Sequence, residues 1–411
     1  MVEIRKQKNI DSFIWNTIGG IVSASASIIL LLLVTRTVGA KEGGIFSLAF
    51  ATAQILLTVG KYGVRSFQVT DVKEELSKGT YFQSRIWLCG FMLLLSVIYV
   101  WVVGYDIRKS CIFVAVCGIK VADAVEDVFH GRLQQKGQLA RAGMLLAIRN
   151  IITMLTFGLG MVLIRDLLKV CVGVAIISNV FALGANWIAL KKHETIEWET
   201  DKEQIKSLLI KCFPLFFGHF LSLYIYNVPK YVIDFTRTEE EITYYSIIFM
   251  PAFAINLCSE FIFKPLLPTL ASIWVEGKKD AFYNLVKNFL LIVCAITLCG
   301  VVCAYLFGTQ ILSLFYAVDV VPYRVEMAIL MLSGGFSAAV YLLYNVLTAM
   351  RYQRVIVRNY CVVSMVITVL ACIFVAYWGI AGATIAYLIA EVILLGLMLF
   401  DTFFGYKKGG R

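Results

Sequence analysis

Charge is scarce in this chain. Only 16% of its 411 residues are Asp, Glu, Lys or Arg, while 60% are hydrophobic. That balance is far more apolar than a soluble globular average and excludes an ordinary soluble domain. Paired cysteines are missing as well. The eleven cysteines are scattered, mostly within apolar runs, as at Cys89, Cys117, Cys258, Cys294 and Cys372, and none forms a C-x-x-C pair. Cys299 and Cys303 lie one turn apart with no histidine or carboxylate close by in sequence. This pattern excludes a disulfide framework and a cysteine metal centre, and leaves the cysteines as small apolar residues. No metal-ligand spacing, phosphate loop or nucleophile motif stands out, so neither a catalytic residue nor a cofactor is expected. A long external loop, such as a membrane polymerase or transferase would need for a separate site, is also absent.

What fills the chain instead is a succession of apolar runs with a mean hydropathy of +0.81. Roughly twelve spans of ~20 residues would use about 240 residues, which leaves only short connections. The spans fall at 13–35, 44–64, 85–104, 111–130, 144–164, 167–190, 207–229, 243–269, 284–307, 325–349, 357–377 and 380–403. Arg5, Lys6 and Lys8 before the first run resemble the start of a signal peptide, but the run to Val34 is too long for one and is read as a retained helix. An even number of spans puts both termini on one side. Most Lys and Arg residues fall on that side, among them Lys61, Lys78, Arg85, Arg132, Lys136, Lys191, Lys202, Lys278, Arg354 and Lys407. The opposite set is small: Arg36, Lys41, Arg108, Lys109, Arg165, Lys169, Lys230, Arg237 and Arg324. The positive-inside rule therefore predicts cytoplasmic termini. The formal net charge of +10 reports this topology and attraction to anionic membrane lipids, not nucleic-acid binding.

The longest polar connection runs from Lys191 to Lys206, with alternating charges around Trp198. It reads as a joint between two six-helix halves, giving an N-terminal bundle at 1–195, a linker at 196–206 and a C-terminal bundle at 207–411; an amphipathic surface helix is the alternative. A weak internal repeat agrees with two halves. Gly44 to Phe50 opens span two, and Thr243 to Phe249 opens span eight, each after a charged external turn. Six helices per half restore the starting side, so the expected fold is an all-α integral membrane protein of two six-helix bundles related by a pseudo-two-fold axis along the membrane normal.

The polar residues inside the spans are few enough to take one by one. Asp123, Glu126, Asp127 and His130 recur at i, i+3, i+4 and i+7, which places them on one side of a helix. A charge near the bilayer centre costs roughly 2.5–3.5 kcal/mol on insertion scales, so this stripe must face other helices, a wet cavity or the headgroups. It either aids packing near the surface or lines a passage for a polar substrate. Asn16, Gly19, Gly20, Ser23 and Ser27 give span one a small face for close helix approach or a polar wall. Span seven carries Pro214, which favours a kink, then His219 mid-span, which is either a hydrogen-bonded packing residue or a proton or substrate site. Glu260 and Lys264 are spaced to neutralise each other, whereas Glu391 in span twelve needs a partner and is a candidate for ion coupling. Arg149 lies a turn or two inside span five. It can snorkel, or its planar fork can hold two phosphate oxygens.

Several stretches together resemble the Wzx-type polysaccharide repeat-unit flippases of the multidrug/oligosaccharidyl-lipid/polysaccharide exporter superfamily. They are Thr35-Arg36 to Gly39 with Gly43 to Ser47; Gly63 to Val72 with Tyr81 and Arg85; Asp123 to Asp127 with His130 to Gln135; and Asn227 to Asp234. Phe249-Met250-Pro251 with Pro265 and Leu266, and Trp378 to Ala383, complete the set. The resemblance implies two bundles around a cavity that opens alternately to each side of a bacterial plasma membrane. It implies a lipid-linked oligosaccharide on undecaprenyl diphosphate as cargo, with no covalent step. An H+ or Na+ counter-ion and a glycan polymerase are further partners within that reading. Arg36, Arg65, Lys120, Arg149 and Lys230 are the candidates for phosphate or glycan contact; Asp123, Glu126, His219 and Glu391 are those for gating or ion coupling. The alternatives are a cation-coupled multidrug exporter of the same superfamily and a membrane glycan polymerase or ligase.

Overall fold

The computed structural model describes residues 2–71, 75–191, 202–263, 267–350 and 352–408. The chain runs through α1 (Val2–Val38), α2 (Ala40–Lys61), α3 (Val64–Thr70), α4 (Lys78–Val103), α5 (Ile107–Gln135), α6 (Leu139–Leu163) and α7 (Leu167–Lys191). It continues with α8 (Lys202–Thr236), α9 (Glu239–Phe263), α10 (Leu267–Val275), α11 (Lys279–Cys303), α12 (Thr309–Tyr316), α13 (Arg324–Ala349) and α14 (Gln353–Lys408). Backbone chemistry sets the breaks. Ser77 caps α4 by accepting from the Thr80 N–H, Gly104 ends it in the left-handed region (φ 78°), and Asp106 caps α5 by accepting from the Lys109 N–H. α14 is two helices joined at Gly379 (φ 56°), the turn expected between the last two spans. Counting these halves separately, the described residues contain twelve helices of 22 residues or more, the others being α1, α2, α4 to α9, α11 and α13.

Among the described residues, nine helices are long and apolar enough to cross a membrane, with both halves of α14 counted as one. This is a multi-pass membrane protein. α5 is not among the nine, because its central turns carry Lys120, Asp123, Glu126 and Asp127. Large apolar side chains such as Trp87, Leu94 and Trp101 on α4, and Leu155 and Leu159 on α6, are exposed, as expected of surfaces covered by lipid rather than water.

The chain forms two compact units, Met1–Phe220 and Leu221–Arg411. The division falls inside α8, not in the expected joint; residues 196–201 of that joint lie outside the described residues. α8 runs uninterrupted through Pro214. Its early residues belong to the first unit: Leu208 and Cys212 are buried with Val64, Tyr81 and Phe82, and Phe216 stacks on Tyr62 at 4.4 Å. Its later residues belong to the second, where Tyr226 meets Phe249 and Tyr387 edge to face.

In the first unit α1 packs along α6. A Cβ on Gly19 would lie 2.6 Å from the Gly143 carbonyl oxygen, and one on Gly143 would lie 2.5 Å from the Trp15 backbone. The small face of span one is therefore used, at Gly19, for backbone approach. In the second unit α13 packs against α9, α11 and α14. There a Cβ on Gly334 would meet Ala252 at 2.8 Å. The Arg237 guanidinium donates to the carbonyls of Val375 and Ala376 at 3.1 and 2.9 Å. It thereby closes the C-terminal end of the first half of α14, where those acceptors lack helical partners.

Candidate functional site

The first unit encloses a network of charges centred on α5. Arg149 on α6 is 1% exposed. Its Nε donates to Glu126 Oε2 at 2.7 Å, its Nη2 contacts Asp123 Oδ1, and its Nη1 reaches Ser178 Oγ on α7 at 3.4 Å. Lys120 donates to the other Asp123 oxygen at 2.9 Å and sits 4.4 Å from the Phe50 ring of α2. One turn further along α5, Asp127 accepts from Arg85 Nη2 of α4 at 2.7 Å. Arg85 is 2% exposed, and its Nη1 donates to the Gly60 carbonyl. That carbonyl lies beside the break between α2 and α3, where Tyr62 and Gly63 take left-handed conformations. Arg65 on α3 stands at the rim, 30% exposed, with its Nη1 3.8 Å from Asp127 and its Nη2 donating to Gln134 at 3.0 Å.

The cations Arg65, Arg85, Lys120 and Arg149 face the acids Asp123, Glu126 and Asp127, so the network carries one positive charge more than it neutralises. Geometry of this kind fixes charges firmly, because each ionised group is both paired and hydrogen-bonded in a low-dielectric interior. Three buried atoms in and beside the network, Arg85 Nε, Glu126 Oε1 and His130 Nε2, have no hydrogen-bond partner among the described residues.

Asp71 ends α3. Its carboxylate accepts from the Glu75 and Leu76 N–H groups and from the Tyr81 hydroxyl, at 2.9, 3.2 and 2.8 Å. Burial pushes this carboxyl up, but those hydrogen bonds and the charge of Lys211 outweigh it and hold the pKa below the ordinary carboxylate value.

The second unit holds a different polar site. Glu391 on α14 is 4% exposed and lines a cavity of about 110 Å³ with Tyr226, Tyr341, Tyr360 and Tyr387. Its Oε2 is buried with no hydrogen-bond partner among the described residues.

The structure thus brings four of the nine sequence candidates, Lys120, Asp123, Glu126 and Arg149, into one interlocked cluster, with Arg65 at its edge. Arg36 is exposed in the last turn of α1, and His219 is exposed on α8. Lys230 is half-buried in α8, with no ion pair or hydrogen bond to its side chain among the described residues. Glu391 is in its own cavity. The Glu260 side chain and Lys264 lie outside the described residues. Arg85 and Asp127 were absent from the candidate set, although Asp127 belongs to the same i, i+3, i+4 stripe.

Residues 10–274 match the family model described as "Polysaccharide biosynthesis protein". The chain belongs to the polysaccharide biosynthesis protein family. The matched range contains the whole charge network and Lys230, and stops before Glu391. A relative in this setting is the capsular polysaccharide biosynthesis protein CapF of Staphylococcus aureus, 21% identical over 399 residues, which cover 94% of this chain and 97% of CapF. Among solved structures, the inward closed conformation of the lipid II flippase MurJ is similar, with a TM-score of 0.74 and 15% identity over 98% of this chain and 89% of that one. An inward-facing multidrug resistance MATE family transporter of the MOP superfamily gives a TM-score of 0.70 and 13% identity over 94% of both chains. The family member described here shares their helical fold.

Proposed function

We propose that this chain is a flippase for lipid-linked oligosaccharide repeat units, moving them from the cytoplasmic to the outer leaflet of a bacterial plasma membrane during surface polysaccharide synthesis. The observation that carries this reading is membership of a polysaccharide biosynthesis family by a chain built of membrane-spanning helices. The fold shared with a lipid II flippase supports it. The physical task is to pass sugar hydroxyls and a diphosphate across hydrocarbon while the polyprenyl tail stays in the bilayer, by alternating access. Cationic donors hold the diphosphate better than neutral ones, because charge-assisted hydrogen bonds are shorter and stronger.

Arg65 and Lys230 are candidate cations in these two units that are not locked between the buried acids of the network. Arg65 is partly exposed and has one close acceptor, and Lys230 has none among the described residues. Lys120 and Arg149 are committed to Asp123 and Glu126, and in this proposal they hold the framework of the first unit. A lost charge-assisted hydrogen bond of about 1.5–3 kcal/mol corresponds to roughly tenfold or more in affinity. Arg65→Gln and Lys230→Gln should each cut export of surface glycan on that scale at normal protein level, with Arg65→Lys and Lys230→Arg much closer to wild type. Export measured in cells relying on this chain tests it, and wild-type export from both Gln variants would remove these residues from the route. The competing reading is a cation-coupled multidrug exporter, which the likeness to the MATE transporter favours. It predicts drug efflux from the same cells and normal glycan export when the gene is deleted.

The orientation is also part of the proposal. With cytoplasmic termini, a cysteine at position 236, in a background without native cysteines, should react with an impermeant maleimide in intact cells. A cysteine at position 200 should react only after permeabilisation. The reverse pattern would invert the topology.

A further inference from the structure

We propose that the cavity around Glu391 is a subsite for one uncharged sugar ring of the cargo, and that it turns acidic sugars away. A repeated spacing builds its walls. Ser222 and Tyr226 on α8, Ser337 and Tyr341 on α13, and Tyr387 and Glu391 on α14 each stand four residues apart, so three helices send a pair of polar side chains to the same space. α9 adds Phe253. The Tyr226 ring meets Phe253 and Tyr387 edge to face, with centroids 6.0 and 6.3 Å apart, which holds these rings in one arrangement. Glu391 Oε2 is buried among them without a hydrogen-bond partner among the described residues. No Lys, Arg or His is among the residues lining the cavity.

A buried polar oxygen of this kind calls for a donor. A sugar hydroxyl is one. It both donates and accepts, so neighbouring hydroxyls of a pyranose can donate to the carboxyl group and exchange hydrogen bonds with the serine and tyrosine hydroxyls. The C–H face of the same ring is apolar and fits against aromatic side chains, whose faces carry negative charge density. Size agrees with a single ring. One water needs ~10–15 Å³, so a cavity of about 110 Å³ has space for several water-sized groups but not for a disaccharide. Charge sets the selectivity. A diphosphate finds no cation here, and a uronic acid would bring a second carboxylate up to Glu391 in a poorly screened interior. An unpaired charge of this sort is how a site rejects a ligand that otherwise fits. The place of this contact in transport rests on the flippase reading; binding of a free glycoside does not.

The test uses the purified full-length protein in lauryldimethylamine oxide, a detergent with no sugar of its own. Saturation-transfer NMR, with irradiation confined to the aromatic resonances, follows methyl glucoside, methyl galactoside, methyl N-acetylglucosaminide and methyl glucuronide. At least one of the three neutral glycosides should receive saturation at its ring C–H protons, and methyl glucuronide should not. Glu391→Gln should weaken binding of the neutral glycoside roughly tenfold and narrow the gap to methyl glucuronide, because the charge that repels it is gone. Ser337→Leu, which keeps the acid and fills the cavity, should abolish transfer to every glycoside. It serves as the test should Glu391→Gln fail to accumulate. No transfer to any neutral glycoside, equal transfer to methyl glucuronide, or transfer that survives both substitutions overturns the proposal. Export of surface glycan is scored separately in cells. Normal export without glycoside binding removes the subsite and leaves the flippase reading, whereas glycoside binding by a chain whose deletion leaves export normal keeps the site and removes that reading.

Discussion

Arg149→Leu should unfold the first unit or strip it of roughly 3–5 kcal/mol of stability, the usual cost of removing one partner from a buried ion pair. The guanidinium is 1% exposed and spans Glu126, Asp123 and Ser178, so its loss leaves Glu126 without an ion pair among the described residues and Asp123 with that to Lys120. The decisive measurement is a rescue. Adding Asp123→Asn and Glu126→Gln to Arg149→Leu removes the stranded negative charges, and much of the lost stability in a detergent unfolding titration should return. If the triple variant is no more stable than the single one, the network is not held by charge pairing. A glycan-contact role for Arg149 predicts something else: a folded Arg149→Leu protein that fails only in export.

Gly143→Leu should disrupt α1 against α6 to a similar degree. Overpacking a core usually costs about 1–3 kcal/mol because side chains yield. Here the added carbon meets the main chain of Trp15 and Asn16, which cannot rotate away. Gly143→Ala should already lower the midpoint of thermal unfolding, and Gly143→Leu should abolish accumulation in the membrane. Gly90→Ala on α4 is the control, since a Cβ there meets nothing within 4 Å. Equal stability of Gly143→Leu and wild type would mean that α1 and α6 do not cross at this point.

Much of this architecture was legible because hydropathy and turn chemistry are local. The pair of spans ending at 377 and starting at 380 brackets Gly379, whose backbone angles (φ 56°) break α14 into its two halves. The stripe on α5 was legible from its period, and it does turn inward. What the stripe meets was not. Arg149 lies 26 residues from Asp123, and only the approach of α5, α6 and α7 shows that its donors are already taken. In sequence Arg85 is one more cytoplasmic cation. Its role depends on the left-handed turn at Tyr62 and Gly63 and on Asp127, 42 residues away. The partition of α8 was hidden for a similar reason. Leu208 and Cys212 are apolar residues in an apolar run, and nothing in their spacing says that they pack with Tyr81 and Phe82 while Tyr226 packs with Tyr387. Glu391 was visible as an acid in need of a partner, but its cavity draws on α8, α9, α13 and both halves of α14, from Ser222 to Leu394.

The charges on α5 also bear on how the protein is made. Lys120, Asp123, Glu126 and Asp127 each resist entry into lipid by roughly 2.5–3.5 kcal/mol near a helix centre. As it emerges, α5 is therefore a poor candidate for entering the bilayer by itself. Arg85 has already been synthesised by then, in α4, but Arg149 arrives only with α6. The connections at 104–106 and 136–138 are short enough to keep the three helices together. On these costs α5 is expected to enter the lipid together with α4 and α6, its acids paired with Arg85 and Arg149 as it does so.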